Sequence, residues 1–169
     1  WHNISIIDET QQLWRDALDG GTIVDQYFAM LDGSSAKFVE ALSIIADTDD
    51  AVVFHCAAGK DRTGLLAALL LSLLGVSDDE IGHDYALTAE VLPLLKQRWE
   101  ARAQDPRFRD HYARPGLKEA AAKAMTADSG TMSRVLLELR ERHGSPERWL
   151  LDAGLAPATI DHLRRQLLA

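Results

Sequence analysis

A nearly uninterrupted apolar run, Leu65 to Leu74, constrains the fold of this chain more than any other feature. It is about half as long as a membrane-spanning helix needs to be, so it does not predict an integral membrane segment. Gly75 follows it, as glycine commonly follows the end of a helix. A helix that is apolar on almost every side has to be packed on every side. We therefore expect a central, buried helix around which the rest of the chain is arranged.

Two short β-rich segments precede this helix, NISII at 3–7 and AVVFH at 51–55. Neither alternates cleanly between apolar and polar residues, which is typical of strands buried on both faces of a parallel sheet. Between them the sequence predicts a helix, a turn at Asp32 to Ser35 and a second helix, and such a crossover joins parallel strands. The expected fold class is therefore α/β, a short, mainly parallel sheet flanked by many helices.

Two strands are too few for a stable sheet. We expect the remaining strands either in segments that look like loops or upstream of Trp1. The rest of the chain is predicted to be helical. A capping box, Ser77 to Glu80, opens one helix, and Ser145 with Pro146 opens another. Further helices are expected within 116–128, 131–143 and 146–153 and from Pro157 onward. No linker is visible, so 1–169 is read as one domain.

The chain has one cysteine, which excludes an internal disulfide and a multi-cysteine zinc site. Its histidines lack metal-ligand spacing, so no metal site is expected, and the prediction includes no other cofactor. A reducing compartment follows by default, and the cytoplasm is the expected location. The first residues do not form a signal peptide, which leaves export without one as the alternative. Because the chain does not begin with Met, it is interpreted as a fragment or a processed product.

The net charge of −8 is unevenly distributed. Residues up to Pro93 are strongly acidic, whereas the later part is basic overall. An acidic chain is a poor general binder of nucleic acid, so no nucleic-acid partner is expected. The segment 96–118 is basic with interleaved aromatic residues. It has two interpretations, a solvated helix face and loop, or a lid and surface that receive an anionic substrate.

The cysteine lies in a turn between the segment 51–55 and the apolar helix. Cys56 and Arg62 enclose five residues, AAGKD. Backbone N–H groups of such a turn converge on one point, and the helix N-terminus adds positive potential. Gly59 allows a backbone conformation that other residues avoid, and Arg62 can bind two phosphate oxygens. These surroundings favour a thiolate and indicate nucleophilic displacement at phosphorus.

Three other interpretations of this turn are weaker. A cysteine that serves only as a small buried hydrophobe would not need the arginine and glycine around it. A nucleotide-binding glycine loop would need glycine where Phe54 stands and Ser or Thr where Asp61 stands. A cysteine protease would need a histidine that faces the thiol, whereas His55 adjoins Cys56 and points to the opposite face of an extended chain.

The stretch HCAAGKDRTG resembles the signature loop of the cysteine-dependent protein tyrosine phosphatase superfamily, His-Cys-x5-Arg-Ser/Thr. It is most similar to the bacterial tyrosine phosphatases whose loop reads His-Cys-x-x-Gly-Lys-Asp-Arg-Thr-Gly. Three further stretches are similar to that group: YFAML at 27–31, DYALT at 84–88 and the C-terminal stretch 143–168.

The resemblance implies a role for each loop residue. Cys56 would be the nucleophile, Arg62 would bind the phosphate, and Thr63 would hydrogen-bond the thiolate. His55 would orient the loop from behind. The residues that would contact the substrate phosphate are Ala57, Ala58, Gly59, Lys60, Asp61 and Arg62.

For the general acid, the bacterial group points to Asp61 inside the loop. Its alternative role is to stabilise the loop or to pair with arginine. Asp8, Asp25 and Asp32 are other candidates, although turn and cap roles are commoner for aspartate. Lys60 would add a second cation beside the phosphate and favour phosphoinositides by Coulomb attraction. The alternative for Lys60 is a lysine that points to solvent.

Family members carry N-terminal motifs ahead of the position that corresponds to Trp1, and those motifs are not in this sequence. We therefore expect a phosphatase domain without its N-terminal strands, which could associate with that missing segment. The predicted function is hydrolysis of phosphotyrosine through a cysteinyl-phosphate. A phosphoinositide or dual-specificity phosphatase is one alternative, and a catalytically silent phosphate-binding or scaffolding module is another.

Overall fold

The computed structural model describes residues 1–7, 12–107 and 126–168. Within these ranges the regular structure is entirely helical. The α-helices are α1 Gln12–Gly20, α2 Ile23–Ala46, α3 Asp61–Leu73, α4 Asp78–Ala86, α5 Leu92–Gln104, α6 Ser129–His143, α7 Pro146–Asp152 and α8 Pro157–Leu167, and a 3₁₀ turn, Leu87–Glu90, joins α4 to α5.

The predicted parallel sheet is wrong, because the described residues contain no strand. The segments 3–7 and 51–55 are irregular, and neither forms a backbone–backbone hydrogen bond with another described segment. Val53 is 87% exposed, the reverse of a strand buried on both faces. High β-propensity describes a side chain that fits a pleated, half-buried surface, and without a neighbouring ladder it does not produce a strand. The fold is therefore described as a helical assembly.

The predicted central apolar helix is confirmed as α3. Its side chains are buried on several faces, and α2, α4 and α7 pack around it. Helix α6 packs against α4 and α2, and α8 packs against α2, so one continuous core joins α2, α3, α4, α6, α7 and α8. The residues of α3 that lie in this core are Leu65, Leu66, Ala68, Leu69, Leu70 and Leu73.

The predicted turn at Asp32 to Ser35 is a kink inside one long helix. Only Ser34 leaves helical geometry within α2, with φ −141° and ψ 28°. Its hydroxyl donates a hydrogen bond to the carbonyl of Ile6 at 2.5 Å. A serine hydroxyl that hydrogen-bonds the backbone of another segment competes with the regular hydrogen bonds of the helix. The predicted turn residues therefore bend α2 without ending it.

The predicted helix starts are confirmed where local sequence encodes them. Ser77 and Glu80 form the reciprocal capping box of α4, and the Ser145 hydroxyl accepts from the Arg148 N–H at the start of α7, with Pro146 in the first turn. Helix α6 begins slightly earlier than predicted, at Ser129. The helix expected within 116–128 lies outside the described residues apart from 126–128, which are not helical.

The basic segment is only partly described. Its first part, up to Gln104, belongs to α5, and residues 108–118 lie outside the described ranges. Among the described helices, none is long and apolar enough to cross a membrane.

Candidate active site

The cysteine turn leads directly into the central helix. Residues 56–60 form the turn, and α3 begins at Asp61 with Lys60 at the preceding position. Gly59 has φ +73°, a left-handed conformation in which a Cβ would be strained. The Gly64 N–H donates to the Lys60 carbonyl at 2.8 Å, which closes the first turn of the helix. The sequence placed this loop and its helix correctly, to within one residue.

The turn stabilises an ionised thiol. Burial of the half-buried Cys56 side chain acts to raise its pKa, but hydrogen bonds from the Thr63 side chain and from the backbone N–H groups of Thr63, Ala58 and Gly59 outweigh burial. The pKa of the Cys56 thiol is therefore lowered. The buried Thr63 hydroxyl has no oxygen or nitrogen partner in the described structure, so its proton is available to the sulfur.

A cavity of about 120 Å³ opens above this turn. The loop and the first turn of α3 contribute to its lining Cys56, Ala57, Ala58, Lys60, Asp61 and Arg62. The remaining wall is apolar and comes from α5, through Leu92, Leu95 and Trp99. The sequence analysis missed this wall, although apolar residues at i, i+3 and i+7 of a helix are a recognisable signal.

Arg62 lines the cavity, and its guanidinium has no partner among the described residues. No ion pair or hydrogen bond joins it to any residue in the described ranges. A guanidinium presents a rigid fork of donors that matches two oxygens of a phosphate. The cavity thus holds a cationic group whose donors are not used by the protein, beside the thiol with the lowered pKa.

Lys60 does not point to solvent. Its side chain is 1% exposed, and its ammonium lies 2.8 Å from Asp61 Oδ1 and donates to the Thr126 carbonyl at 3.1 Å. Because its charge is buried and paired with a carboxylate, less of it acts on a ligand than the sequence suggested.

Asp61 is held by groups from two other helices. The buried Tyr27 hydroxyl, on α2, donates to Asp61 Oδ1 at 2.8 Å. The Tyr85 hydroxyl, on α4, lies 2.7 Å from the Tyr27 hydroxyl. Burial raises the pKa of Tyr27 far above its usual range and that of Tyr85 to about 12. The sequence analysis quoted the stretches that contain both tyrosines but did not connect them with the loop.

The other candidate acids have separate roles in the fold. Asp25 accepts hydrogen bonds from the Thr22 side chain and backbone as part of the α2 capping box, and these bonds lower its pKa. Asp32 lies 3.7 Å from Arg142, and burial raises its pKa. Asp8 lies outside the described residues. Neither Asp25 nor Asp32 lines the cavity.

His55 contacts the loop backbone. Its Nδ1 lies 3.0 Å from the Cys56 carbonyl oxygen, and its ring lies 5.8 Å from the Trp1 ring, centroid to centroid. The side chain is exposed. Over the described ranges no group of three or more His, Cys, Asp and Glu side chains could hold a metal ion.

Comparison with known proteins identifies relatives along nearly the whole chain. Residues 3–169 match the sequence profile of the tyrosine phosphatase family. The chain is 35% identical over 147 residues to a tyrosine-protein phosphatase of Nostoc commune, a match that covers 85% of this chain and 48% of that protein. It is 30% identical over 152 residues to the triple specificity protein phosphatase PtpB of Mycobacterium tuberculosis, covering 86% of this chain and 54% of PtpB. The chain thus spans about half the length of the curated relatives it matches.

Proposed function

The chain belongs to the tyrosine phosphatase family, and we propose that it hydrolyses phosphate monoesters through a cysteinyl-phosphate intermediate. One observation carries the proposal. A thiol whose pKa is lowered shares a small cavity with an arginine that has no partner in the described part of the chain. A nucleophile and an anion-binding group aimed at the same space are the two requirements for displacement at phosphorus.

The first step transfers the phosphoryl group to sulfur. The Cys56 thiolate forms an S–P bond while the P–O bond to the leaving group breaks. Arg62 and the N–H groups of residues 57–62 bind the phosphoryl oxygens and stabilise their charge in the transition state. Asp61 donates its proton to the departing oxygen, so the leaving group departs as a neutral hydroxyl compound.

The second step returns the enzyme to its starting state. Water attacks phosphorus, the S–P bond breaks, and the Asp61 carboxylate accepts a proton from that water. Inorganic phosphate leaves, and Cys56 is again a thiolate, which the Thr63 side chain stabilises as leaving group. The contact of His55 with the Cys56 carbonyl supports a loop-orienting role for His55.

The lining of the cavity supports phosphotyrosine as the proposed substrate. Leu92, Leu95 and Trp99 offer an apolar wall to an aromatic leaving group. The pairing of Lys60 with Asp61 weakens the case for phosphoinositides, although PtpB is named a triple specificity phosphatase.

A reducing compartment such as the cytoplasm suits an enzyme whose thiolate must remain reduced. The net negative charge of the chain does not favour a nucleic-acid partner. We treat 1–169 as one phosphatase domain, and the additional length of the relatives allows for a partner segment.

The test compares the wild-type chain with Cys56→Ser and Arg62→Lys on p-nitrophenyl phosphate, phosphotyrosine peptide and a phosphoinositide. We expect Cys56→Ser to lose all measurable turnover. Arg62→Lys should lose at least about a hundredfold in kcat/KM, because lysine cannot replace the bidentate fork. The ratio between the two natural substrates then reports the preference.

Arg165→Lys is the matched control, because Arg165 is an exposed arginine of α8 that does not line the cavity, and it should retain full activity. Turnover by Cys56→Ser would exclude the thiolate mechanism. A folded wild-type chain that binds vanadate without hydrolysing any of the esters would instead be a silent phosphate-binding module.

A further inference from the structure

Two buried tyrosines from different helices converge on the carboxylate at the start of α3. The Tyr27 hydroxyl is bonded to Asp61 Oδ1 and the Tyr85 hydroxyl to that of Tyr27. We propose that Tyr27 and Tyr85 are positioning residues that fix the orientation of Asp61 for proton transfer to the leaving group. The inference rests on the proposed function, in which Asp61 is the general acid.

The hydrogen bonds run in one direction. Tyr27 has a single hydroxyl proton, and Asp61 Oδ1 takes it as acceptor. The Tyr27 oxygen is therefore the acceptor in its bond with Tyr85, and Tyr85 is the donor. This order holds whether Asp61 is protonated on its other oxygen or ionised, because Oδ1 is an acceptor in both states.

This order assigns different roles to the two oxygens of Asp61. Oδ1 receives the Tyr27 hydroxyl and lies 2.8 Å from the Lys60 ammonium, so two donors occupy it. Oδ2 has no hydrogen-bond partner in the described structure. Oδ2 is therefore the oxygen free to carry the proton that the general acid transfers, and Asp61 lines the cavity in which a leaving group would sit. A carboxyl group held at one oxygen cannot turn about its bond to exchange them.

The surrounding packing keeps both hydroxyls in place. Tyr27 is fully buried and Tyr85 is 4% exposed, so a hydroxyl without a partner would be costly at either position. The Tyr85 ring lies so close to Gly64 that a Cβ there would be 2.9 Å from Cδ2. The high pKa values of both tyrosines keep them protonated, and therefore donors, at any pH at which an enzyme works.

The test uses Tyr27→Phe, which removes the hydroxyl and retains the ring. An aryl phosphate with a poor leaving group needs an acid more than one with a good leaving group does. We expect Tyr27→Phe to lower kcat/KM by about tenfold for phenyl phosphate and by about threefold or less for p-nitrophenyl phosphate. Tyr85→Phe should shift the same ratio in the same direction by a smaller factor. Because the ratio is measured on one preparation, it does not depend on how much of the variant is folded.

Two comparisons separate positioning from simple packing. Adding Tyr27→Phe to Asp61→Asn should leave the substrate ratio as it is in Asp61→Asn alone, since both changes act on the same proton transfer. Phe38→Leu alters another fully buried aromatic residue of α2, one that packs against Trp149. It should lower both rates by the same factor.

Failure of this inference is distinct from failure of the proposed function. An active wild-type enzyme in which Tyr27→Phe leaves the substrate ratio unchanged would overturn the positioning role and leave the phosphatase intact. An unchanged ratio in Asp61→Asn would overturn it as well, because no acid would be there to position. Turnover that survives in Cys56→Ser would overturn the proposed function instead.

Discussion

The hydroxyl of Thr63 hydrogen-bonds the sulfur of Cys56, and burial and hydrogen bonding act on this thiol in opposite directions. Burial disfavours the charged thiolate, and the donors of the turn favour it strongly enough to lower the pKa. The reactivity of this cysteine therefore depends on a small number of donors. The side chain of Thr63 is the one that mutation can remove without altering the backbone.

We expect Thr63→Ala to raise the pKa of Cys56 and to slow its alkylation by iodoacetamide at neutral pH by about tenfold, because a hydrogen bond to a charged group contributes about 1.5 kcal/mol. The measurement is the alkylation rate against pH, whose midpoint should move upward. Thr159→Ala is the matched control, because Thr159 is the third residue of α8 as Thr63 is of α3. An unchanged midpoint in Thr63→Ala would contradict the role of this hydroxyl.

The same thiol links stability to pH. Its pKa is lower in the folded chain than in the unfolded chain, so the unfolded state holds its proton up to a higher pH. Ionisation of Cys56 therefore stabilises the fold fully above the ordinary thiol pKa, and this contribution is lost as the pH falls through the lowered value. In Cys56→Ser this part of the pH dependence should be absent.

The contact between α3 and α4 depends on the absence of a side chain at Gly64. A Cβ at that position would lie 2.9 Å from Cδ2 of the Tyr85 ring and 3.6 Å from Cε of Met132. The first turn of α3 can therefore approach the Tyr85 ring of α4 this closely only with glycine at residue 64, whereas the distance to Met132 is an ordinary contact.

We expect Gly64→Ala to reduce the free energy of unfolding by about 2 kcal/mol, because overpacking forces a buried ring to move. Gly20→Ala provides the control, since a Cβ at Gly20 would contact nothing within 4 Å. Denaturant unfolding of both variants measures the difference. Equal stability of Gly64→Ala and the wild type would show that the ring moves aside without cost.

The elements that sequence predicted well are those encoded within a few residues. The capping box of α4, the proline-led helix starts and the apolar helix need only their own side chains. The prediction of strands at 3–7 and 51–55 is wrong because a strand needs a neighbouring strand, which a local sequence pattern does not specify. The loop 55–63 was predictable because its residues are contiguous. Tyr27 and Tyr85 reach the site through tertiary packing, which no local spacing reveals. The spacing of Trp99 with Leu92 and Leu95 indicates an apolar face of α5, but it does not indicate what that face covers.

Arg164 of α8 bonds both α7, the preceding helix, and α3, which ends 91 positions earlier in the chain. Its Nε donates to the Leu73 carbonyl at the end of α3 at 2.8 Å, and its guanidinium donates to Glu147 in α7 at 2.6 Å. The last carbonyls of a helix lack partners within it, and a cation there also matches the helix dipole. This side chain on α8 thus secures the C-terminal helices to the central one.

We expect Arg164→Ala to lower the free energy of unfolding by about 1 kcal/mol, since it removes a bond from a charged donor that is partly exposed. Arg165→Ala, at the next position and exposed, should change it by about 0.5 kcal/mol or less. Thermal or urea unfolding of the pair tests this. If both variants lowered the free energy of unfolding by the same amount, the hydrogen bond from Arg164 to the Leu73 carbonyl would make no measurable contribution to stability.

The hydrogen bond from the buried Lys60 ammonium to the Thr126 carbonyl crosses 66 positions of the chain. A buried ammonium that loses a partner is costly, so residues 126–128 and the turn 56–60 resist local opening together. Amide hydrogen exchange at these two places should accordingly report one shared opening equilibrium. An oxyanion that binds and rigidifies the turn would therefore slow amide exchange at residues 126–128, which lead into α6. By the same coupling free energy, a substitution that disturbs residues 126–128 would weaken the binding of the oxyanion to the turn.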